Sequence, residues 1–312
     1  MKAAAAVNVP AAISVPVETD GRLATGLAPA DVPLGCIGMS TLEVLADWPV
    51  PNAAAAVVGP SGVLAEFGDV DRRFALASVT KPIVARAAQV AVEEGVVELD
   101  TPAGPPGSTV RHLLAHASGL SMRSPDVIAA PGTRRIYSNE GFGVLAGVVE
   151  RASEIPFDRY LAEAVFEPLG MGGSSLAGGT AAAGFGGESS VADLAQFAAD
   201  LLRPTLVSPQ MHADAIAVQF PGLSGVLPGY GAQRPNDWGL GFEIRDDKSP
   251  HWTGSLNSGR TFGHFGQSGA FIWADPIADL ALVALTDRDF GDWAHLLWPA
   301  LSDGVLRDFG TH

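Results

Sequence analysis

The chain has 312 residues, with 34 acidic and 19 basic side chains and a formal net charge of −15. Hydrophobic residues make up 47% and charged residues 17%, which excludes a disordered chain and leaves enough apolar surface for a large core without disulfides or metal. The acidic excess argues against nucleic acid and anionic membranes as partners, because both are held by basic surfaces.

In chain order, the first feature is Lys2 followed by AAAAVNVPAAISVPV, with Ala28-Pro29-Ala30 imitating a cleavage site. Asn8, Pro10 and Pro16 interrupt the apolar run, so a cytoplasmic leader is expected rather than an export signal. No stretch reaches the roughly 18 apolar residues of a membrane span. The single cysteine, Cys36, lies in LGCIG and reads as a small buried hydrophobe with no disulfide partner. Residues 53–59 and 63–67 are short apolar runs around Pro60-Ser61-Gly62, a hairpin pattern. Helical patterns follow over 78–94, 110–116, 140–152, 157–166 and 191–202. After a loop-rich stretch at 221–237, strand-length runs return at 240–245, 260–264, 270–273 and 280–285, and 293–306 reads as an amphipathic helix.

Strands at both ends with helices between them suggest a helical insertion into one sheet. The expected organisation is a sheet domain from 1–97 and 236–312, with an inserted helical domain at 98–235.

Three segments carry reactive groups. Ser78-Val79-Thr80-Lys81 places a hydroxyl and an amine one helical turn apart on the same face. A serine needs a base to become a nucleophile; lysine becomes one when its pKa falls, whereas arginine stays protonated. That difference matters in a chain with sixteen arginines and only Lys2, Lys81 and Lys248. With 21 serines, such a pairing is expected by chance roughly 0.2 times, so the motif alone is suggestive only. Pro82 removes the amide that would bond to the Ser78 carbonyl, so an irregular first turn is expected.

The second segment is Tyr137-Ser138-Asn139. A phenol beside an ammonium loses its proton more easily and can serve as base and then acid, while an asparagine amide can hold a lysine and a substrate carbonyl together. The third is the glycine-rich GHFGQSG at 263–269, where backbone can approach a ligand closely and offer an amide to an oxyanion.

Taken with FALASVTKP (74–82), VRHLLAHASGL (110–120), PGTRRIYSNEGFGVLAGVVE (131–150), FEPLGM (166–171), WGLGF (238–242) and GHFGQSGAFIWADP (263–276), these segments resemble the serine β-lactamase and penicillin-binding protein superfamily. The likeness is to its class C-like branch of esterases and D-peptidases, over roughly residues 50–306. It implies an α/β fold of the α+β type: an antiparallel sheet flanked by N- and C-terminal helices, with an inserted, mainly helical domain. It also implies Ser78 as nucleophile, Lys81 as its proton partner, Tyr137 as general base and acid, and Asn139 as the positioning amide. His264, Phe265 and Gly266 fall at the substrate-binding strand, and the Ser78 and Gln267 amides at the oxyanion hole. No metal or cofactor is implied.

His264 stands where relatives usually carry lysine, and Phe265 where those that recognise β-lactams usually carry a hydroxyl that binds the substrate carboxylate. These departures favour small carboxylic esters. A D-amino-acid peptidase or amidase, a weak β-lactamase, and a non-hydrolytic binding or acylated sensor protein are the alternatives. Arg134, Arg135 and Arg260 are candidate carboxylate partners.

His112 and His116 have the spacing of a helical zinc pair, but Leu113 stands where a zinc hydrolase needs glutamate, so they read as helix packing. Tyr230, Trp238, Phe242 and Trp252 read as core or loop packing, with an acyl-pocket wall as the alternative.

Overall fold

The computed structural model describes residues 41–310. Lys2, the leader, Ala28-Pro29-Ala30 and Cys36 lie outside them.

Six strands form one antiparallel sheet. β1 (Ala53–Gly59) and β2 (Gly62–Phe67) make the expected hairpin. β3 (Glu243–Ile244), β4 (Phe262–Gly266), β5 (Ala270–Asp275) and β6 (Leu280–Thr286) come from the other end of the chain. Their order is β2-β1-β6-β5-β4-β3, so β1 and β6, distant in sequence, pair at the centre with Ala53 opposite Thr286.

The runs of β1, β5 and β6 are almost wholly apolar because both faces of the sheet are covered there, whereas the edge strand β2 is partly exposed. Side chains alternate across a strand. On β6, Ala281, Val283 and Leu285 join one core, while Leu280, Leu282 and Ala284 join the other. The first core is closed by α1 (Thr80–Glu93), α2 (Asn139–Ser153) and α3 (Val191–Leu202). The second is closed by α4 (Asp292–Phe309), which brings Trp298, Leu301 and Val305, and by the 3-10 turn Thr41–Asp47. Among the described residues no helix is long and apolar enough to cross a membrane.

Local chemistry sets the element boundaries. Ser138 caps α2 by accepting the Gly141 amide at 2.8 Å, and Ser190 caps α3 by accepting the Asp193 amide at 3.2 Å. The helix expected from residue 78 starts as a 3-10 turn, Ala77–Val79, and becomes α-helical at Thr80, the irregularity that Pro82 implies. The strand expected at 240–245 is only Glu243–Ile244. Gly241 has φ +93°, and a side chain there would run into Ala85 of α1, so this segment packs down on the helix instead of extending the sheet.

Candidate active site

The three segments meet at the end of α1. Lys81 is fully buried, and its Nζ lies 3.2 Å from Ser78 Oγ. The same nitrogen donates to Asn139 Oδ1 and to the Gly184 carbonyl, each at 2.7 Å. It also sits 4.5 Å from the centroid of the Tyr137 ring.

Burial controls the ionisation of this cluster. It pulls the Lys81 amine well below its ordinary value. It also pushes the Tyr137 phenol up, with the Ser78 side chain opposing that shift only in part. The rise is opposite to the lowering expected of a phenol beside an ammonium. Both shifts have one cause, exclusion of water, and both favour a neutral amine beside a neutral phenol.

A neutral amine has two N–H bonds and one lone pair. In that form Asn139 Oδ1 and the Gly184 carbonyl would take the two hydrogens, and the lone pair would be left for the Ser78 hydroxyl, 3.2 Å away.

β4 supplies the opposite wall. A Cβ on Gly266 would lie 3.2 Å from Ser78 N and would collide with the Leu76 carbonyl, so only glycine lets this strand come so close. The approach brings the backbone of β4 at Gly266, next to Gln267, up to the Ser78 amide. Ala77, immediately before Ser78, is held at φ +44°, a strained conformation for a non-glycine residue.

The pleat of β4 separates His264 from Phe265. His264 faces Tyr137 and Trp238, with ring centroids 5.7 and 5.4 Å away. Its Nδ1–H donates to the Phe265 carbonyl at 2.7 Å, and Nε2 is buried without a hydrogen-bond partner. Burial and the nearby Lys81 push its pKa down to about 3, so it is a neutral imidazole. Phe265 packs on the other face among Tyr230, Trp252, Phe290 and Trp298, with only part of its ring in the cavity wall.

Several neighbours were not legible as site residues. His116, read as helix packing, lies 4.6 Å from Tyr137, centroid to centroid, and its Nδ1 accepts the Ser138 amide at 3.2 Å. His112 is elsewhere, bonded to Thr109 and stacked on Phe220. Trp238 does wall the cavity, whereas Phe242 and Trp252 are core residues. Behind the site, the Glu243 carboxylate meets Lys248 Nζ at 2.5 Å, His251 Nε2 at 2.8 Å and Trp252 Nε1 at 2.9 Å. Burial alone would raise its pKa; the charge and hydrogen bonds of these partners bring it down to about 2. Lys248 thus has a structural task.

The candidate carboxylate partners lie elsewhere. Arg135 is buried and donates to the carbonyls of Asn236, Ala115 and Gln219. Arg134 and Arg260 do not line the cavity; Arg123 and Arg151 do. The cavity measures about 1120 Å3, and Ser78, Tyr137, Asn139, Trp238, His264 and Gln267 line its inner end.

The beta-lactamase family model matches residues 46–301. A crystal structure of a protein from Mycobacterium bovis, described as a beta-lactamase, is 74% identical, with a TM-score of 0.87 over 87% of this chain and 100% of that one. A beta-lactamase of Yersinia enterocolitica is 28% identical over 123 residues, which span 31% of this chain and about a third, 32%, of that protein. Simvastatin synthase from Aspergillus terreus shares the fold at 18% identity and a TM-score of 0.69, over 86% of this chain and 93% of the other. So does EstCE1, described as a hydrolase with promiscuous acyltransferase activity, at 18% identity and a TM-score of 0.70 over 85% and 96% of the two chains.

Proposed function

Because the chain belongs to the beta-lactamase family, we propose that it is a serine hydrolase that forms a covalent acyl-enzyme on Ser78 and acts on small carboxylic esters. The observation that carries this reading is the 3.2 Å approach of Lys81 Nζ to Ser78 Oγ in surroundings that disfavour the ammonium.

Ser78 Oγ attacks the ester carbonyl as its proton passes to the Lys81 lone pair. The oxyanion forms between the Ser78 and Gln267 amides. As the intermediate collapses, the C–O bond to the alcohol breaks and Tyr137 gives that oxygen its proton. The acyl-enzyme then holds a Lys81 ammonium beside a Tyr137 phenolate. Attacking water loses a proton to the phenolate, the acyl–Oγ bond breaks, and the Lys81 proton returns to Ser78. Asn139 keeps Lys81 oriented through Oδ1 and turns its NH2 toward the acyl carbonyl.

The ester preference rests on the charge near Ser78. With His264 neutral and Arg135 committed to backbone carbonyls, no fixed cation waits beside the reacting carbonyl for a β-lactam carboxylate. The M. bovis relative's description favours a second reading, β-lactam hydrolysis.

A fluorophosphonate probe and a panel of p-nitrophenyl acetate, a D-amino-acid p-nitroanilide and a chromogenic cephalosporin test both. Labelling and ester turnover, each abolished by Ser78→Ala, are expected. Faster turnover of the cephalosporin or the anilide refutes the ester preference. Reversible binding without labelling indicates a binding protein, and labelling without turnover an acylated sensor.

A further inference from the structure

The cavity is larger than a short ester requires. At about 1120 Å3 it exceeds the roughly 300–1,000 Å3 usual for small-molecule sites. Much of it runs away from Ser78 along one face of α2. Glu140, Gly143, Val144, Gly147 and Arg151 line this arm at helical spacing, and Thr180, Ala181 and Phe185 face them. From Asn139 to Arg151 the helix rises roughly 18 Å. Phe185, 50% exposed, and Met122, 38% exposed, are its large apolar walls, with the Glu140 carboxylate at the end next to Asn139 and the Thr180 side chain facing the helix.

The arm ends in a cation. The Arg151 side chain folds back over the preceding turn, so that a Cβ on Gly147 would lie 3.1 Å from its Nη1. The guanidinium therefore lies in the arm. Arg151 makes no ion pair or side-chain hydrogen bond among the described residues, and neither does Arg123 at the nearer rim. In a chain of net charge −15, the arm sets Arg151, at the end far from Ser78, about 11 residues along α2 from the Glu140 carboxylate, and that end suits an anion.

We propose that the arm along α2 is a subsite for an elongated apolar acyl chain ending in a carboxylate, which Arg151 receives. This rests on the Ser78 reading above and narrows its substrate class. Asn139 opens the arm and addresses the acyl carbonyl, so the acyl part of the ester enters it. The anion is remote from the scissile bond, consistent with the absence of a fixed cation beside Ser78.

The test compares mono-p-nitrophenyl suberate with its methyl-capped ester, which has the same chain without the charge. Wild type should favour the free acid in kcat/KM by about two- to fivefold, as an exposed ion pair supports. Arg151→Ala should bring the ratio to about one, and Arg151→Glu should invert it. Gly147→Leu, which fills the arm, should cost either suberate ester about tenfold relative to p-nitrophenyl acetate. A wild-type ratio near one, or one that Arg151→Glu leaves unmoved, overturns the subsite. Acetate hydrolysis that Ser78→Ala abolishes shows separately whether the Ser78 reading stands. Calorimetric binding of monomethyl suberate to Ser78→Ala, with and without Arg151→Glu, tests the subsite without turnover; equal binding overturns it.

Discussion

The approach of β4 to Ser78 makes Gly266→Ala the most informative substitution. The added Cβ would fall within van der Waals distance of the Leu76 carbonyl oxygen and 3.2 Å from Ser78 N. Both neighbours are backbone at the start of a buried helix, so neither can swing aside. Restoring an ordinary contact requires β4 to retreat by about 1 Å. An oxyanion bonded at about 2.9 Å to both amides would then sit near 4 Å from the Gln267 donor, beyond hydrogen-bond range. Loss of one such donor costs roughly 3–4 kcal/mol at the transition state, or about 100- to 1,000-fold in kcat. The ground-state carbonyl uses these donors little, so KM should change far less. Stopped-flow acylation with p-nitrophenyl acetate measures the step directly, and a melting curve confirms the fold. A folded variant with kcat within about threefold of wild type would refute the two-amide oxyanion hole.

Four further outcomes follow from the geometry. Lys81→Arg places a permanent cation where a lone pair is needed and should lower kcat by about a hundredfold or more, measured with the same ester. In wild type, kcat/KM should rise with pH as Lys81 loses its proton, with a midpoint below 10.5, and should fall only above 10.0, where the raised Tyr137 ionises; a rising limb at or above 10.5 contradicts the neutral amine. His116, His212, His251 and His264 all have pKa values lowered by burial, so the unfolded chain binds more protons below pH 6.5; for His264 the window runs down to about 3. Stability should therefore fall with pH from 6.5, and urea titrations should show His264→Gln losing about 1.4 kcal/mol less per pH unit. Lys248→Met leaves the buried Glu243 carboxylate without its cation and should cost about 3–5 kcal/mol in chemical denaturation, with much of that recovered in the Glu243→Gln, Lys248→Met double variant.

The fold was legible because its central strands are buried on both faces and its helices carry their own punctuation. The apolar runs at 53–59 and 280–285 needed cover on each side, and the order of strands and helices left one sheet to hold them. Ser138 and Ser190 announce α2 and α3 through capping, a local interaction. The 240–245 run failed as a full strand because its decisive contacts are long-range: the Gly241 amide bonds to the Leu114 carbonyl, and the glycine itself rests against Ala85. The reactive groups of the site could be found because Lys81 is chemically anomalous among sixteen arginines and Tyr137 is one of three tyrosines. Gly184, His116 and Glu243 carry no such mark. A glycine whose carbonyl holds the buried Lys81 amine is identical in sequence to one that turns a loop, and only packing distinguishes them.

The same packing decides what a linear motif means. Read along the chain, His264-Phe265-Gly266 is three adjacent departures or agreements at one substrate wall. On a pleated strand they divide: His264 and Gly266 turn toward Ser78, and Phe265 turns toward α4. The proposed preference against a carboxylate beside the scissile bond therefore does not rest on a phenyl ring replacing a hydroxyl. It rests on neutrality, since His264 is too buried to hold a proton and Arg135 is spent on carbonyls. Charge in the cleft is displaced to its rim, at Arg123 and Arg151. That distribution also keeps Lys81 reactive: a fixed anion beside the amine would raise its pKa and fill the lone pair that Ser78 requires.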